Sequence, residues 1–502
     1  MSPEIGAISP KISSNPFLAC IEEYLSTNDL ADRLATSPLT GVDVASLSDL
    51  ERVDMLDRLQ EEFFEPTSLS LDIGTRLLRL IRRGYINRDP TKSHVRKMTM
   101  EIASYSGKEL SALPWFSTYA KGMTVVGVTG LGKTYEVKRI LQLIPQWVEH
   151  GMLPEAHWAK MKQVTWLYVA MSHDGSLGGL LLQILVALDE VAGTKYSQDR
   201  GLIRSSNEKL AVRLGVIFRN HGLGVLVIDE IQSRNFQGHG RGEFAATFFL
   251  RLLNFGIPVV LMGNPLGMEA LYSFSQDVRR IGSGGSIEAH PLEVDDFDWT
   301  DCLAPAFWEL NLMPYPHQIE NPNQRLFHYS GGIRDFACRM VIAAQKLALD
   351  IGDQFLTEEH LRQAYMGSDF SDKERDIIVG FRDSDPIRLI QFEDIPWESY
   401  AARWGLLFDG KSFIPQSSDE GKKGQVVNES NDGEIAKPKI AKPVPQKDLE
   451  TIKRRRTRKA NTSKKSSTSK KTLDTGDMRV DGLQQLLVTG IASLFSDKKH
   501  KG

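Results

Sequence analysis

Four groups of residues in this chain have the types and spacing that phosphate chemistry requires. The first is "GVTGLGKT", residues 127–134, where Gly127, Gly132, Lys133 and Thr134 satisfy the pattern G-x-x-x-x-G-K-[ST] and Gly130 adds a further glycine. Glycines let the backbone curl until its N–H groups, and the N-terminus of a following helix, point at phosphate oxygens. Lys133 then reaches the β- and γ-phosphates of a bound nucleotide, and the Thr134 hydroxyl is expected to ligate Mg²⁺. A merely glycine-rich turn would need neither Lys nor Thr at those places.

The second group is Asp229 and Glu230, delivered by "LGVLVIDEIQ" to the end of an apolar run. Asp229 suits the Mg²⁺ contact, and Glu230 suits the orientation and activation of an attacking water. Paired acids at a strand end are often only solvated turn residues. Here their order along the chain favours the hydrolytic P-loop class with an extra strand between the two motifs. The third is Asn264, at the tip of "PVVLMGN", placed to hold that water or the γ-phosphate, or else to serve as a turn residue before Pro265. The fourth is cationic. Arg279 and Arg280, in "SFSQDVRRIGSGG", cannot easily reach phosphates in their own chain but can reach a neighbour's, which would make hydrolysis depend on assembly, or else they are solvated surface, as arginine pairs usually are. Arg334, in "SGGIRDF", is a second cation for the γ-phosphate in its own chain, or an ordinary capping or surface residue.

These groups need a scaffold, and the apolar patterning supplies one. Short apolar runs, "MTVVGV" (123–128), "VTWLYVAM" (164–171), "VLVID" (225–229), "PVVLMGN" (258–264) and "GSIEAHPLEV" (285–294), read as strands buried on both faces. Between them "SLGGLLLQILVALDEV" and "EFAATFFLRLLNFG" repeat apolar residues at helical period, the second stopping at Gly256 ahead of Pro258. The expected fold is α/β, a central parallel sheet covered by helices. From about 296 the pattern turns helical, with "IRDFACRMVIAAQKLAL" and, behind a Thr357 cap, "EEHLRQAYM". The expected domains are an N-terminal extension (1–110), a P-loop core (111–295), a helical lid (296–385), a linker and disordered basic tail (386–480) and an amphipathic C-terminal segment (481–502).

Composition bounds the rest. At 502 residues, 41% hydrophobic and 25% charged, the chain has ample material for a core. The net charge of −3 conceals "KRRRTRKANTSKKSSTSKK" (453–471), which holds ten Lys/Arg and no acid and leaves 51 basic against 64 acidic residues elsewhere. Around it a Ser-, Lys-, Pro- and Gly-rich region poor in aromatics cannot offset its ordering entropy and reads as disordered. Beyond that, "GLQQLLVTGIASLF" places Leu483, Leu486, Leu487, Ile491, Leu494 and Phe495 on one helical face, which reads as a docking helix on a tether, with Leu487 and Phe495 as candidate contacts, or as a helix folded back on the body. Three widely spaced cysteines signal neither disulfide framework nor zinc site. No run approaches a membrane span and the first residues lack a signal-peptide layout, so no membrane partner and a cytoplasmic location are expected.

Together the loop, the acids, Asn264 and the arginines describe an AAA+ ATPase, with ATP and Mg²⁺ as its ligands. In detail the chain resembles the TnsC family, with its TniB relatives: bacterial regulators of target selection in Tn-seven-like transposons. The likeness runs through "NPF" (15–17), "IRRGYINRDP" (81–90), the loop, "GVLVIDEIQ", "VRRIGSGG" and "LLVTGIASLF" (486–495), and departs at Asn264, where relatives can carry Thr. It implies a homo-oligomer, ring or filament, assembled with ATP on double-stranded DNA. Such an assembly receives a target-site selector of TnsD or TniQ type, for which residues 1–110 are the platform. It also recruits and activates transposase subunits of TnsA and TnsB type, the C-terminal segment docking on the endonuclease-like one. Phosphate contacts from a ring's pore need charge but no base-reading motif, and Arg234 and Arg241 in "QSRNFQGHGRGE" are the candidates. A helicase loader or replication initiator would share the pocket but carry a folded DNA-binding module after the lid. A nucleotide-switched scaffold would oligomerise without DNA.

Overall fold

The structure is a computed structural model that describes residues 15–21, 25–109, 113, 120–172, 175–236, 241–273, 280–408 and 413–415. All of these fall in the first of two compact units, Met1–Pro443; the second, Val444–Gly502, lies outside the described residues, and so do Leu487 and Phe495.

The five apolar runs are all strands of one parallel sheet. In chain order the strands are β1 (Gly122–Gly127), β2 (Trp147–His150), β3 (Met161–Val164), β4 (Trp166–Ala170), β5 (Val225–Ile231), β6 (Val259–Gly263) and β7 (Ser286–Ala289). The sheet runs β4-β5-β6-β1-β7, while β2 and β3 pair antiparallel beside it. Every residue of β1 and β6 is buried, because helices cover both faces. Parallel pairing places all the carboxyl ends on one edge, and β6 lies between the strand that feeds the loop and the strand that carries the acids.

The covering helices follow their sequence signals. Leu177–Ala192 starts at Ser176, whose hydroxyl accepts from Gly179 N at 3.0 Å, ends at a left-handed Gly193, and buries Leu177, Leu180, Leu181, Ile184, Leu185 and Leu188. That spacing makes one continuous apolar stripe against the sheet. Asn207–Asn220, capped by Ser206, and Arg241–Asn254 join it in the same core.

The helices described within residues 1–110 are divided between the two cores. Leu56 and Leu59 of Asp49–Glu62 are buried with Trp299, Phe307 and Met340 of the lid, and Arg52 donates to the Leu312 carbonyl. Ile102 of Ser93–Ser104 is buried in the sheet core instead. Further elements follow residue 385. Pro386–Leu389 and Trp397–Arg403 are helical, and β8 (Leu406–Phe408) pairs antiparallel with β9 (Phe413–Pro415). Tyr400 packs on Phe381 at 4.9 Å and Trp397 on Phe413 at 5.8 Å, contacts that no local pattern announces.

Gly215 shows how tightly the sheet's helices are set. A Cβ there would lie 2.2 Å from the Phe255 ring. Gly215→Ala is therefore expected to destabilise the protein by about 1–3 kcal/mol through overpacking. An unchanged denaturation midpoint would show that the ring can move aside.

Candidate nucleotide site

The loop after β1 has the geometry its glycines suggest. Gly130 (φ +87°) and Gly132 (φ +85°) hold left-handed backbone, which side-chain-bearing residues adopt at a cost. Gly127 is required for space, since a Cβ on it would meet the Ala289 carbonyl oxygen of β7 at 2.7 Å. Directly after Gly132 the helix Lys133–Leu141 begins, so its free N–H groups face the same place as the loop's.

Lys133 and Thr134 are brought to the acids by the sheet. The Thr134 hydroxyl donates to Asp229 Oδ2 at 2.6 Å across 95 residues of chain. The Tyr168 hydroxyl donates to the same oxygen, and Glu230 N donates to Oδ1 at 2.7 Å. Asp229 is buried and Glu230 exposed. The separation comes from the backbone: register shifts between Ile228 and Ile231, and Glu230 sits at φ +60°, a left-handed conformation costing about 1–3 kcal/mol in a non-glycine residue. That kink leaves one carboxylate with the threonine and turns the other outward, where its Oε2 accepts from Gln232 Nε2 at 2.8 Å. The Lys133 ammonium donates to Val128 O at 2.8 Å, and burial pulls its pKa below the ordinary lysine value, with Asp229, Glu230 and Asp394 opposing that shift. A threonine hydroxyl beside a carboxylate is a hard-oxygen pair suited to Mg²⁺, and Lys133 with the loop N–H groups suits a polyphosphate.

The other sequence candidates are placed as follows. Asn264 stands at the end of β6 and caps the Pro265–Tyr272 helix, its Oδ1 accepting from Gly267 N at 2.7 Å, while its N–H bonds Ile231 O at 3.1 Å, next to Glu230. Arg280 lies near Ile281, whose carbonyl approaches Gly122 at the opposite end of β1, and donates to Asn254 Oδ1 at 3.1 Å. A strand of that length spans on the order of 16 Å, which separates Arg280 from its own loop. Arg279 lies outside the described residues. Arg234 is exposed on the Ser233–Phe236 turn after β5, and Arg241 opens the next helix.

Arg334 stands beside the loop, its Cδ 3.5 Å from where a Cβ on Gly132 would lie. Its guanidinium forms an ion pair with Glu136 of the loop helix, donates to Glu65 O at 3.0 Å and lies 4.7 Å from the Phe64 ring centroid. Glu136 is fully buried, and burial raises its pKa while Arg334 opposes the rise. Asp335 N also donates to Gly130 O at 3.2 Å. Arg334 thus ties the lid to the loop helix. Between them lies a cavity of about 190 Å³ lined by Leu131, Glu136, Leu292, Gly332 and Arg334, among others.

Sequence reasoning missed Tyr168, Glu136 and Asp394. Tyr168 carries a hydroxyl at the centre of an otherwise apolar strand, a readable signal. Glu136 looks like any first-turn acid. Asp394 comes from the segment read as linker, yet its Oδ2 accepts from the Thr129 hydroxyl within the loop at 3.2 Å.

Residues 117–271 match the family described as AAA domain. The chain carries an AAA domain, and its fold is the AAA+ P-loop fold. No curated protein matches the sequence. Among solved structures, the Aeropyrum pernix ORC1 protein in complex with DNA is 17% identical over 64% of this chain and 80% of that one, with a TM-score of 0.34. Cdc6p from Pyrobaculum aerophilum is 12% identical over 64% and 89%, at 0.35. The Thermotoga maritima RuvB Holliday junction branch migration motor is 12% identical over 64% and 92%, at 0.32.

Asp394 makes a sharp expectation. Its carboxylate stands against the loop that receives polyphosphate, so Asp394→Asn is expected to bind ATP roughly threefold to tenfold more tightly. Equilibrium titration with a fluorescent ATP analogue measures this, and unchanged or weaker affinity would show that the acid does not oppose the phosphates.

Proposed function

We propose that this protein is an ATP hydrolase that assembles with ATP on double-stranded DNA and regulates transposition by linking a target-site selector to the transposase. The observation that carries the nucleotide part is the Thr134–Asp229 contact at 2.6 Å with Glu230 turned out beside it. The transposition part rests on the resemblance of the ordered motifs to the TnsC family.

The chain's residues divide the work. The loop N–H groups and Lys133 bind and orient the phosphates, and Thr134 with Asp229 hold Mg²⁺. When bound, the ion supplies charge neutralisation at the phosphate oxygens. Glu230 accepts a proton from the attacking water, and Asn264, one strand over, positions that water or the terminal phosphate. Arg279 and Arg280 serve a neighbouring copy's site, a reading supported by the distance of Arg280 from its own loop. Arg234 and Arg241 face DNA phosphates after β5. Leu487 and Phe495 dock the C-terminal segment on a transposase subunit. The initiator or loader reading is less favoured, because residues 386–408 form short helices and a strand that pack on the lid and the loop, with no separate DNA-binding module among the described residues.

Two outcomes test the scheme. Glu230→Gln is expected to keep ATP affinity and lose turnover by at least a hundredfold, since the amide cannot accept the proton; a variant hydrolysing at the parent rate would remove Glu230 from the chemistry. Mixing an Arg279→Ala/Arg280→Ala chain with a Lys133→Ala chain is expected to restore part of the ATPase activity, one chain supplying pockets and the other arginines. No recovery at any ratio, with both chains folded, would place the arginines in their own chain's site or in none.

A further inference from the structure

Two motifs left unused by the nucleotide chemistry, "NPF" and "IRRGYINRDP", meet at the amino-terminal edge of the sheet, away from the loop. Asn15 Nδ2 donates to the Tyr85 carbonyl at 2.8 Å and Asn15 Oδ1 accepts from Phe17 N at 3.1 Å, and the Phe17 ring lies 5.3 Å from Tyr85 and 5.8 Å from Trp158. The Tyr85 hydroxyl donates to Gly222 O at 2.9 Å, just before β5. This junction borders a cavity of about 290 Å³, lined by Phe17, Trp158, Met100, Arg88, Arg96 and Arg219, among others.

The charge of the lining is one-sided. It includes three arginines and a histidine and no acid. Arg88 and Arg219 are only 6% and 9% exposed, so they cannot discharge into bulk water. Their recorded acceptors are neutral: Gly84 O for Arg88; Phe255 O and the Thr99 hydroxyl for Arg219; the carbonyls of Pro90, Thr91 and Glu155 for Arg96. Asp89, the nearest acid in sequence, is turned to the Thr91 hydroxyl and N–H. Arg88 Nη2 and Trp158 Nε1 are buried with no hydrogen-bond acceptor. Helix C-termini at Gly84 and Phe255 offer these guanidiniums partial negative charge, about half a unit each. Two buried cations side by side are otherwise uncompensated, an arrangement that costs several kcal/mol without an anion. Burial accordingly pulls Arg88 down to about 10 and Arg219 to about 9, the charge of Arg88 adding to the lowering at Arg219.

We propose that this cavity binds a small organic oxyanion, a carboxylate or phosphate borne on a flat apolar body. The arginines take the oxyanion and Phe17, Trp158 and Met100 take the body. An inorganic anion would leave the apolar lining unused, and a neutral aromatic would leave the arginines unpaired. The site lies at the other end of the strands from the nucleotide loop, so it is distinct from ATP binding, and it joins the N-terminal segment to the sheet.

The test uses the full chain and calorimetric titration with phenylacetate and with phenyl phosphate, against acetate and benzyl alcohol as charge-only and ring-only controls. Met100 is 69% exposed at the rim, so charged substitutions there leave the core intact. Saturable binding of either aromatic anion is expected, at least tenfold tighter than both controls, about tenfold weaker in Met100→Glu and several-fold tighter in Met100→Lys. Phenyl phosphate binding counts only if it persists in Lys133→Ala, which removes the loop's own phosphate affinity. Failure of both aromatic anions to bind, equal affinity in the two Met100 variants, or benzyl alcohol binding as well as phenylacetate would each overturn the proposal.

Discussion

The contact between the Thr134 hydroxyl and the Asp229 carboxylate depends on strand order more than on either residue. Ninety-five residues separate the two in sequence, and only parallel pairing of β1 through β6 to β5 brings the ends of their strands to one edge. Burial of β1 and β6 on both faces fixes that register, because a slip of one residue would carry an apolar set out of its layer. The kink at Glu230 is possible only because the sheet on one side and the Asn264 cap on the other hold the backbone in place.

The lid is fastened to this edge rather than tethered near it. Arg334 with Glu136, and Asp335 N with Gly130 O, tie the start of a lid helix to the loop from one side, while Asp394 with Thr129 ties the end of the lid from another. Groups that hold the loop in one state and that polyphosphate would disturb are suited to convert nucleotide occupancy into lid position. The same lid core takes Leu56 and Leu59 from the N-terminal region, so the two share one apolar cluster.

Most of the sheet and the backbone geometry of the loop were legible in the sequence, because both are encoded locally. Five apolar runs gave five strands, and the G-x-x-x-x-G-K-T spacing acts through backbone conformations of adjacent residues. What was not legible depends on distant partners. Residues 386–408 lack a long apolar period and fold through Phe381, Tyr400 and Trp397. The run beginning at Val164 concealed a break at Thr165, where β3 pairs with β2 before β4 enters the sheet. The pairing of Arg334 with Glu136 follows from lid placement, which helical periodicity does not fix. Nothing local in the sequence brings Arg88 and Arg219, 131 positions apart, to one cavity.

The central claim is that nucleotide occupancy controls assembly on DNA. A gel-shift titration of the full chain on duplex DNA of arbitrary sequence, with ATP, with ADP and with no nucleotide, tests it most directly. The account predicts slow-migrating, salt-sensitive complexes only with ATP, appearing steeply with protein concentration as cooperative assembly requires. Equal DNA binding in all three conditions, or none in any, would contradict it.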